Sequence, residues 1–231
     1  DHVPCPFKEK GRVSGIRMDM LTAPEYVETL RKLKEEYKED IDIYIGFEAE
    51  YIPEFYPEQA EMCKSLGCDY MIMGQHFLSG EPGVMYTGAE TRLTERMKAY
   101  VDSVLEGAAT GHFMYIAHPD LIFFTGDEKV YRSHMRRLCE GLNKMDIPIE
   151  INNVGMSHNR NYPTPCFWEI AGQVGNKTVI GLDAHNVGDM ENKEAYEKCM
   201  ELVEKYNVNF LKEPEAVLPY MERTKNNIQR N

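Results

Sequence analysis

The strongest constraint in this chain is a repeated alternation of short apolar runs with longer amphipathic segments. Residues 24–39 place Tyr26, Val27, Leu30, Leu33 and Tyr37 on one face with charges opposite and Pro24 at the start, which predicts a surface helix. The run 41–46 predicts a strand, 57–66 a helix stopped by Gly67, and 70–73 a second strand. After a glycine-containing loop, 79–88, a helix is expected over 90–107. Further strands are expected at 113–117, 147–151 and 178–182, helices at 127–144, 165–174 and 192–206, and a last short strand at 208–211. Unbroken strand–helix alternation means parallel strands joined by crossover helices. The 231 residues contain no linker, repeat or low-complexity tract, so one domain spanning 1–231 is expected, long enough to bury a core.

The chemistry is concentrated where these strands end. The successive runs lead to Glu48, to His76, to His118, to Asn152 and Asn153, and to Asp183-Ala184-His185. Carboxylates, imidazoles and amides are the ligand inventory for Zn, Fe or Mn. In a closed parallel barrel every strand C-terminus opens on one face, so residues one strand–helix unit apart converge on a pocket. An open sheet would spread them along a line, with one useful crevice. Convergence favours the barrel. A single strand-end histidine is more often a hydrogen-bonded structural residue, and Glu48 alone could be a solvated strand end, with Glu50 two residues on. Five such ends in one register point to a metal centre. The other histidines fall outside the register: His112 precedes its strand and is expected at the opposite end of the barrel, His134 on a helix surface, and His158 in an active-face loop with its ligand role left open.

Composition removes several competing classes. With 26 Lys+Arg against 38 Asp+Glu, a net charge of −12, the chain lacks the basic face of a general phosphate-backbone binder, and no nucleic-acid partner is expected. No apolar run approaches the ~18 residues of a membrane span, so no membrane partner is expected. Six scattered cysteines without a C-x-x-C pair read as reduced thiols of a cytoplasmic protein. None is followed by the arginine of a C-x5-R phosphatase loop, and no G-x-x-x-x-G-K-[ST], G-x-G-x-x-G or G-x-S-x-G motif occurs. Water activated by bound cations is the nucleophile that remains. The opening Asp1-His2-Val3-Pro4-Cys5-Pro6-Phe7 lacks the basic-then-apolar pattern of a signal peptide.

Seven motifs follow one another up to about residue 190: Asp1-His2-Val3-Pro4, Gly46-Phe47-Glu48-Ala49-Glu50-Tyr51, Gly74-Gln75-His76-Phe77, Ala117-His118-Pro119-Asp120, Glu150-Ile151-Asn152-Asn153, Tyr162-Pro163 and Gly181-Leu182-Asp183-Ala184-His185. In this order they resemble the PHP (polymerase and histidinol phosphatase) family, and most closely its monofunctional histidinol-phosphatase branch. The resemblance implies a distorted (β/α)7 TIM-like barrel and two or three divalent metal ions (Zn, Fe or Mn). It also implies hydrolysis of a small phosphate ester, L-histidinol phosphate, to L-histidinol. By position it implies metal binding by His2, Glu48, His76, His118, Asp183 and His185. Glu48, His76 and His118 would hold one ion, Glu48 and Asp183 a second, and His2 and His185 a third. Catalytic roles are expected for His2, His185 and Asp183, with His2 or His185 the proton donor to the leaving alkoxide. For the substrate, Arg160 is expected to take the phosphate oxygens ahead of Arg17, with Asn152 also in contact.

The family's His-x-His pair has no counterpart in this sequence, and its first strand and helix would lie upstream of Asp1. The chain is therefore expected to be N-terminally truncated, lacking the first βα unit, with only the Glu48–His76–His118 ion fully supplied. Two alternatives stand beside the main reading. One is a PHP phosphoesterase acting on another small phosphate ester; the other is a non-catalytic PHP module, as part of a DNA polymerase or as a metal-binding relic.

Overall fold

Among the described residues, six short strands form one all-parallel sheet in chain order: β1 (Gly46–Ala49), β2 (Tyr70–Met73), β3 (Phe113–Ile116), β4 (Ile149–Asn152), β5 (Lys177–Gly181) and β6 (Asn209–Phe210). The computed structural model describes residues 1–6, 14–79 and 84–212, so 7–13, 80–83 of the glycine-containing loop and 213–231 lie outside it. Residues 1–3 add a further segment beside β1. His2 bridges Glu48 in parallel, with Glu48 N–H donating to Asp1 O (2.9 Å) and Val3 N–H to Glu48 O (2.7 Å). The helices are α1 (Ala23–Glu36), α2 (Tyr56–Ser65), α3 (Thr94–Ala108), α4 (Glu128–Lys144), α5 (Asn153–Ser157), α6 (Pro165–Val174), α7 (Val187–Met190) and α8 (Lys193–Tyr206).

Strand alternation divides the sheet into two unlike faces. Phe47 and Ala49 of β1, Met71 and Met73 of β2, and Ile149 and Ile151 of β4 are all buried in the main core. Phe47 meets Tyr26 of α1 with ring centroids 5.1 Å apart. The alternate positions carry Glu48, Glu50, Glu150 and Asn152. The apolar face is covered by helices packed in sequence, α3 on α4, α4 on α6 and α6 on α8. Their ends follow local chemistry: Asp127 accepts from the backbone N–H of Lys129 and Val130 to start α4, and Gly175, with φ 82°, ends α6 in a left-handed turn. Trp168 of α6 is fully buried, edge-on to Phe167 (5.1 Å between centroids, 82° between planes). Trp168→Ala is expected to lower unfolding stability by about 3–5 kcal/mol, measured by denaturant titration.

Two local expectations need correction. The run 41–46 is not the first strand: β1 starts only at Gly46, which pairs with Tyr70, and the approach to it is tied at Ile45, whose O accepts from Asp69 N–H (2.7 Å) and whose N–H donates to Asp69 Oδ2 (2.8 Å). The helix expected from 90 begins at Thr94, because Thr91 is drawn into a bridge with Phe124. Helices α5 and α7 are too short to show a period. Each is opened by an asparagine side chain, Asn152 accepting from Gly155 N–H and Asn186 from Asp189 N–H. No described helix is long and apolar enough to cross a membrane. Cys63, Cys68, Cys139, Cys166 and Cys199 carry free thiols.

Candidate metal centre

In a flat sheet β1 and β5 would stand four strand spacings apart, about 19 Å. Here Glu48 of β1 and Asp183, two residues beyond β5, line one cleft of about 350 Å³ together with His2, His76, Arg160 and His185. The sheet curls enough to bring the C-terminal ends of its strands around a common space.

Glu48 is the centre of that space. Its carboxylate lies 3.0 Å from His118 Nε2, 3.6 Å from His76 Nε2 and 3.6 Å from His2 Nδ1. A Cβ at Gly74 would come within 1.9 Å of Glu48 Oε1, so the end of β2 must be glycine for this approach. Burial opposes ionisation of Glu48, but the hydrogen bond with His118 and the three surrounding imidazoles outweigh it and hold its pKa below the usual carboxylate range. Burial likewise opposes protonation of His118, yet its hydrogen bond to Glu48 pushes it up to about 9. For His2 burial dominates and its pKa is lowered.

The donor set fits a divalent cation. One ligand atom each from Glu48, His76 and His118 lie within 4.8 Å of one another, and so do those of His2, Glu50 and His76. His2 Nδ1, His118 Nδ1 and Glu50 Oε2 are buried without a hydrogen-bond partner. Unpaired buried polar atoms are unfavourable. Two of them belong to the His2–Glu50–His76 group, where a cation would meet such atoms, whereas His118 turns Nε2 rather than Nδ1 towards Glu48. Imidazole nitrogen and carboxylate oxygen suit Zn, Fe and Mn alike.

Glu50, read from the sequence only as a neighbour of Glu48, belongs to this arrangement. It is 1% exposed, and its Oε1 accepts from Arg17 Nη2 (2.7 Å) and faces His76 Nδ1 (3.2 Å). The signal was available: residues two apart on a strand share a face. Arg17 therefore does not reach the cleft; it is buried behind it, bonded to Glu50 and to Val3 O (3.2 Å). Asn152 is also buried. Its Nδ2 donates to Asp183 Oδ2 (3.1 Å) and Glu150 Oε2 (3.0 Å), while its Oδ1 caps α5. A buried guanidinium or amide must satisfy its donors inside the protein, and these two do so behind the cleft.

The remaining residues form the rim. His185 is largely exposed, with Nδ1 2.7 Å from Asp183 O and its backbone N–H donating to Asp189 Oδ2 (2.9 Å). Arg160 also lines the cleft and donates from Nη1 to the Tyr162 hydroxyl (2.7 Å). Tyr86 lies parallel to the His76 ring (6.2 Å, 13°) and beside Phe77 (6.0 Å), giving the cleft an aromatic wall. Outside it, His112 pairs with the Tyr56 hydroxyl, His134 is half-buried on α4, and His158 Nε2 lies 3.3 Å from Asp189 Oδ1.

Two solved structures share this architecture. A candidate histidinol phosphatase from Listeria monocytogenes superposes with a TM-score of 0.67 at 21% identity, over 85% of this chain and 86% of that one. Histidinol phosphate phosphatase from Lactococcus lactis, solved with Zn, L-histidinol and phosphate, superposes with a TM-score of 0.62 at 19% identity, over 86% and 78%. Fold and cleft together define an α/β protein of TIM-like barrel type, with carboxylates and imidazoles gathered at the C-terminal ends of its strands. The sequence pattern of the PHP domain matches residues 1–154, and the chain belongs to the PHP family. A curated relative from Deinococcus radiodurans, "Probable histidinol-phosphatase", is 26% identical over 200 residues, spanning 82% of this chain and 74% of that protein.

Proposed function

We propose that this chain is a single-domain, metal-dependent phosphomonoesterase of the cytoplasm that hydrolyses L-histidinol phosphate to L-histidinol and phosphate in histidine biosynthesis. The observation that carries the reading is the Glu48, His76 and His118 donor set beside a cleft that Glu48, His76 and Arg160 line and that is large enough for a small ester. The relatives named histidinol phosphatase support the choice of substrate. Glu48, His76 and His118 would hold one cation, with His2, Asp183 and His185 holding others. When bound, such ions neutralise the phosphate dianion and bring the pKa of water towards neutrality.

The chain's own residues supply the rest. Arg160 presents a planar fork to phosphate oxygens, and its bond to the Tyr162 hydroxyl preorganises it. Glu50 accepts from His76 Nδ1, which fixes the tautomer and leaves Nε2 towards Glu48 and the cleft. Whichever of His2 and His185 is not holding a cation would donate a proton to the leaving alkoxide, and His185 is exposed at the rim. Tyr86 and Phe77 offer the leaving group an aromatic surface. A leaving group that carries an ammonium and an imidazole suits a chain of net charge −12.

Phosphate release measured over a panel of histidinol phosphate, nucleoside monophosphates and sugar phosphates, with Mn²⁺, Zn²⁺ or Fe²⁺ supplied, tests the proposal. Histidinol phosphate should show the highest kcat/KM. A better nucleotide or sugar substrate would replace the substrate while keeping the reaction; no release from any ester by metal-loaded protein would leave a non-catalytic module. Arg160→Ala is expected to lower kcat/KM by about 10- to 100-fold, the worth of charge-assisted hydrogen bonds to phosphate.

A further inference from the structure

His118 and Asp183 stand on loops that leave different strands, and both take a left-handed backbone, φ 31° and 51°, that residues other than glycine rarely adopt. Such conformations persist only where the surroundings over-determine them. The element between the two loops is β4, and its polar face carries Glu150, 2% exposed. Glu150 Oε2 accepts the backbone N–H of His118 at 2.9 Å and Asn152 Nδ2 at 3.0 Å. Asn152 Nδ2 also donates to Asp183 Oδ2 at 3.1 Å. The opposite oxygen, Oε1, lies over Gly181, which pairs with Asn152 across the β4–β5 ladder; a Cβ there would approach Oε1 to 1.7 Å. A buried carboxylate is expensive to keep in a strand interior, and the neighbouring strand gives up a side chain to accommodate this one.

We infer that Glu150 is a positioning residue for the metal centre. Through the His118 backbone on one side and the Asn152 amide on the other, it holds two ligand-bearing loops at one spacing. It makes no contact with substrate. The inference rests on the reading that His118 and Asp183 bind divalent cations.

Co²⁺ titration of the full chain, in competition with a chromophoric chelator, tests it, because visible absorption of bound Co²⁺ also reports ligand geometry. Glu150→Ala is expected to weaken Co²⁺ binding about 10- to 100-fold, the usual effect of losing a group that orients a ligand, and to change the absorption spectrum. Glu150→Gln retains a carbonyl oxygen for the His118 N–H and should stay within about threefold of the unaltered chain. Gly181→Ala displaces the same carboxylate from the other side without removing a hydrogen-bonding group, and should weaken binding by a comparable factor. It decides the matter if Glu150→Ala does not fold. Thermal melting of the metal-free proteins separates scaffold damage from ligand placement. Folded Glu150→Ala or Gly181→Ala with unaltered Co²⁺ affinity and spectrum, even at a lowered melting temperature, overturns the positioning role. Failure of the unaltered chain to bind Co²⁺ overturns the metal reading itself.

Discussion

Glu48→Gln is expected to lower kcat/KM for phosphate-ester hydrolysis by about 10³-fold or more while leaving the fold intact. The side chain keeps its shape but loses the charge that His118, His76 and His2 all face. A bound cation contributes several kcal/mol of charge stabilisation, and a loss of about 4 kcal/mol corresponds to about 10³ in rate. The backbone bonds that tie residues 1–3 to β1 do not involve the Glu48 side chain, so the sheet should survive. Steady-state kinetics, metal content by elemental analysis and far-UV circular dichroism together check this. A variant with wild-type turnover and full metal content would remove Glu48 from the centre of the site.

Metal removal is the second large effect. Exhaustive dialysis against a chelator should reduce phosphate release to background, and adding back Mn²⁺, Zn²⁺ or Fe²⁺ should restore it. Stability should fall in parallel, because a ligand that binds only the native state stabilises it. That contribution is about 2.7 kcal/mol at a hundredfold excess over Kd and about 4.1 kcal/mol at a thousandfold. For a chain of this size the melting temperature should drop by about 5–15 °C. The buried, unpaired Nδ1 of His2 and Oε2 of Glu50 give a local reason for the same sign. A melting temperature indifferent to saturating metal would argue that these residues form a closed ionic cluster.

Much of the fold was legible because periodicity is a local property. The helices ending at Lys144, Val174 and Tyr206 were readable from apolar spacing, and β2 from a compact apolar run. The displacement of β1 was not readable, because 41–46 and 46–49 are both acceptable strand sequences. Only the position of Tyr70 on the neighbouring strand selects the latter. The short helices α5 and α7 depend on single asparagine caps rather than on a pattern.

The same division runs through the site. Glu48, His76 and Asp183 stood out because each follows an apolar run, and motif order tied them to a family. The uses of Arg17, Glu50 and Glu150 did not stand out. A guanidinium in a loop looks the same in sequence whether it awaits phosphate or is buried against Glu50, and Glu150 resembles any strand carboxylate until His118 N–H is found beside it.

From the order of amino acids alone follow the element types, the parallel connectivity and the kinds of side chain at the strand ends, since all of these depend on residues near one another in the chain. Which of those side chains touch depends on how far the sheet curls. That curl brings Glu48 and Asp183 from strands four places apart to one cleft. Curl is a collective result of strand twist and of close approaches such as those permitted by Gly74 and Gly181, and no single segment encodes it.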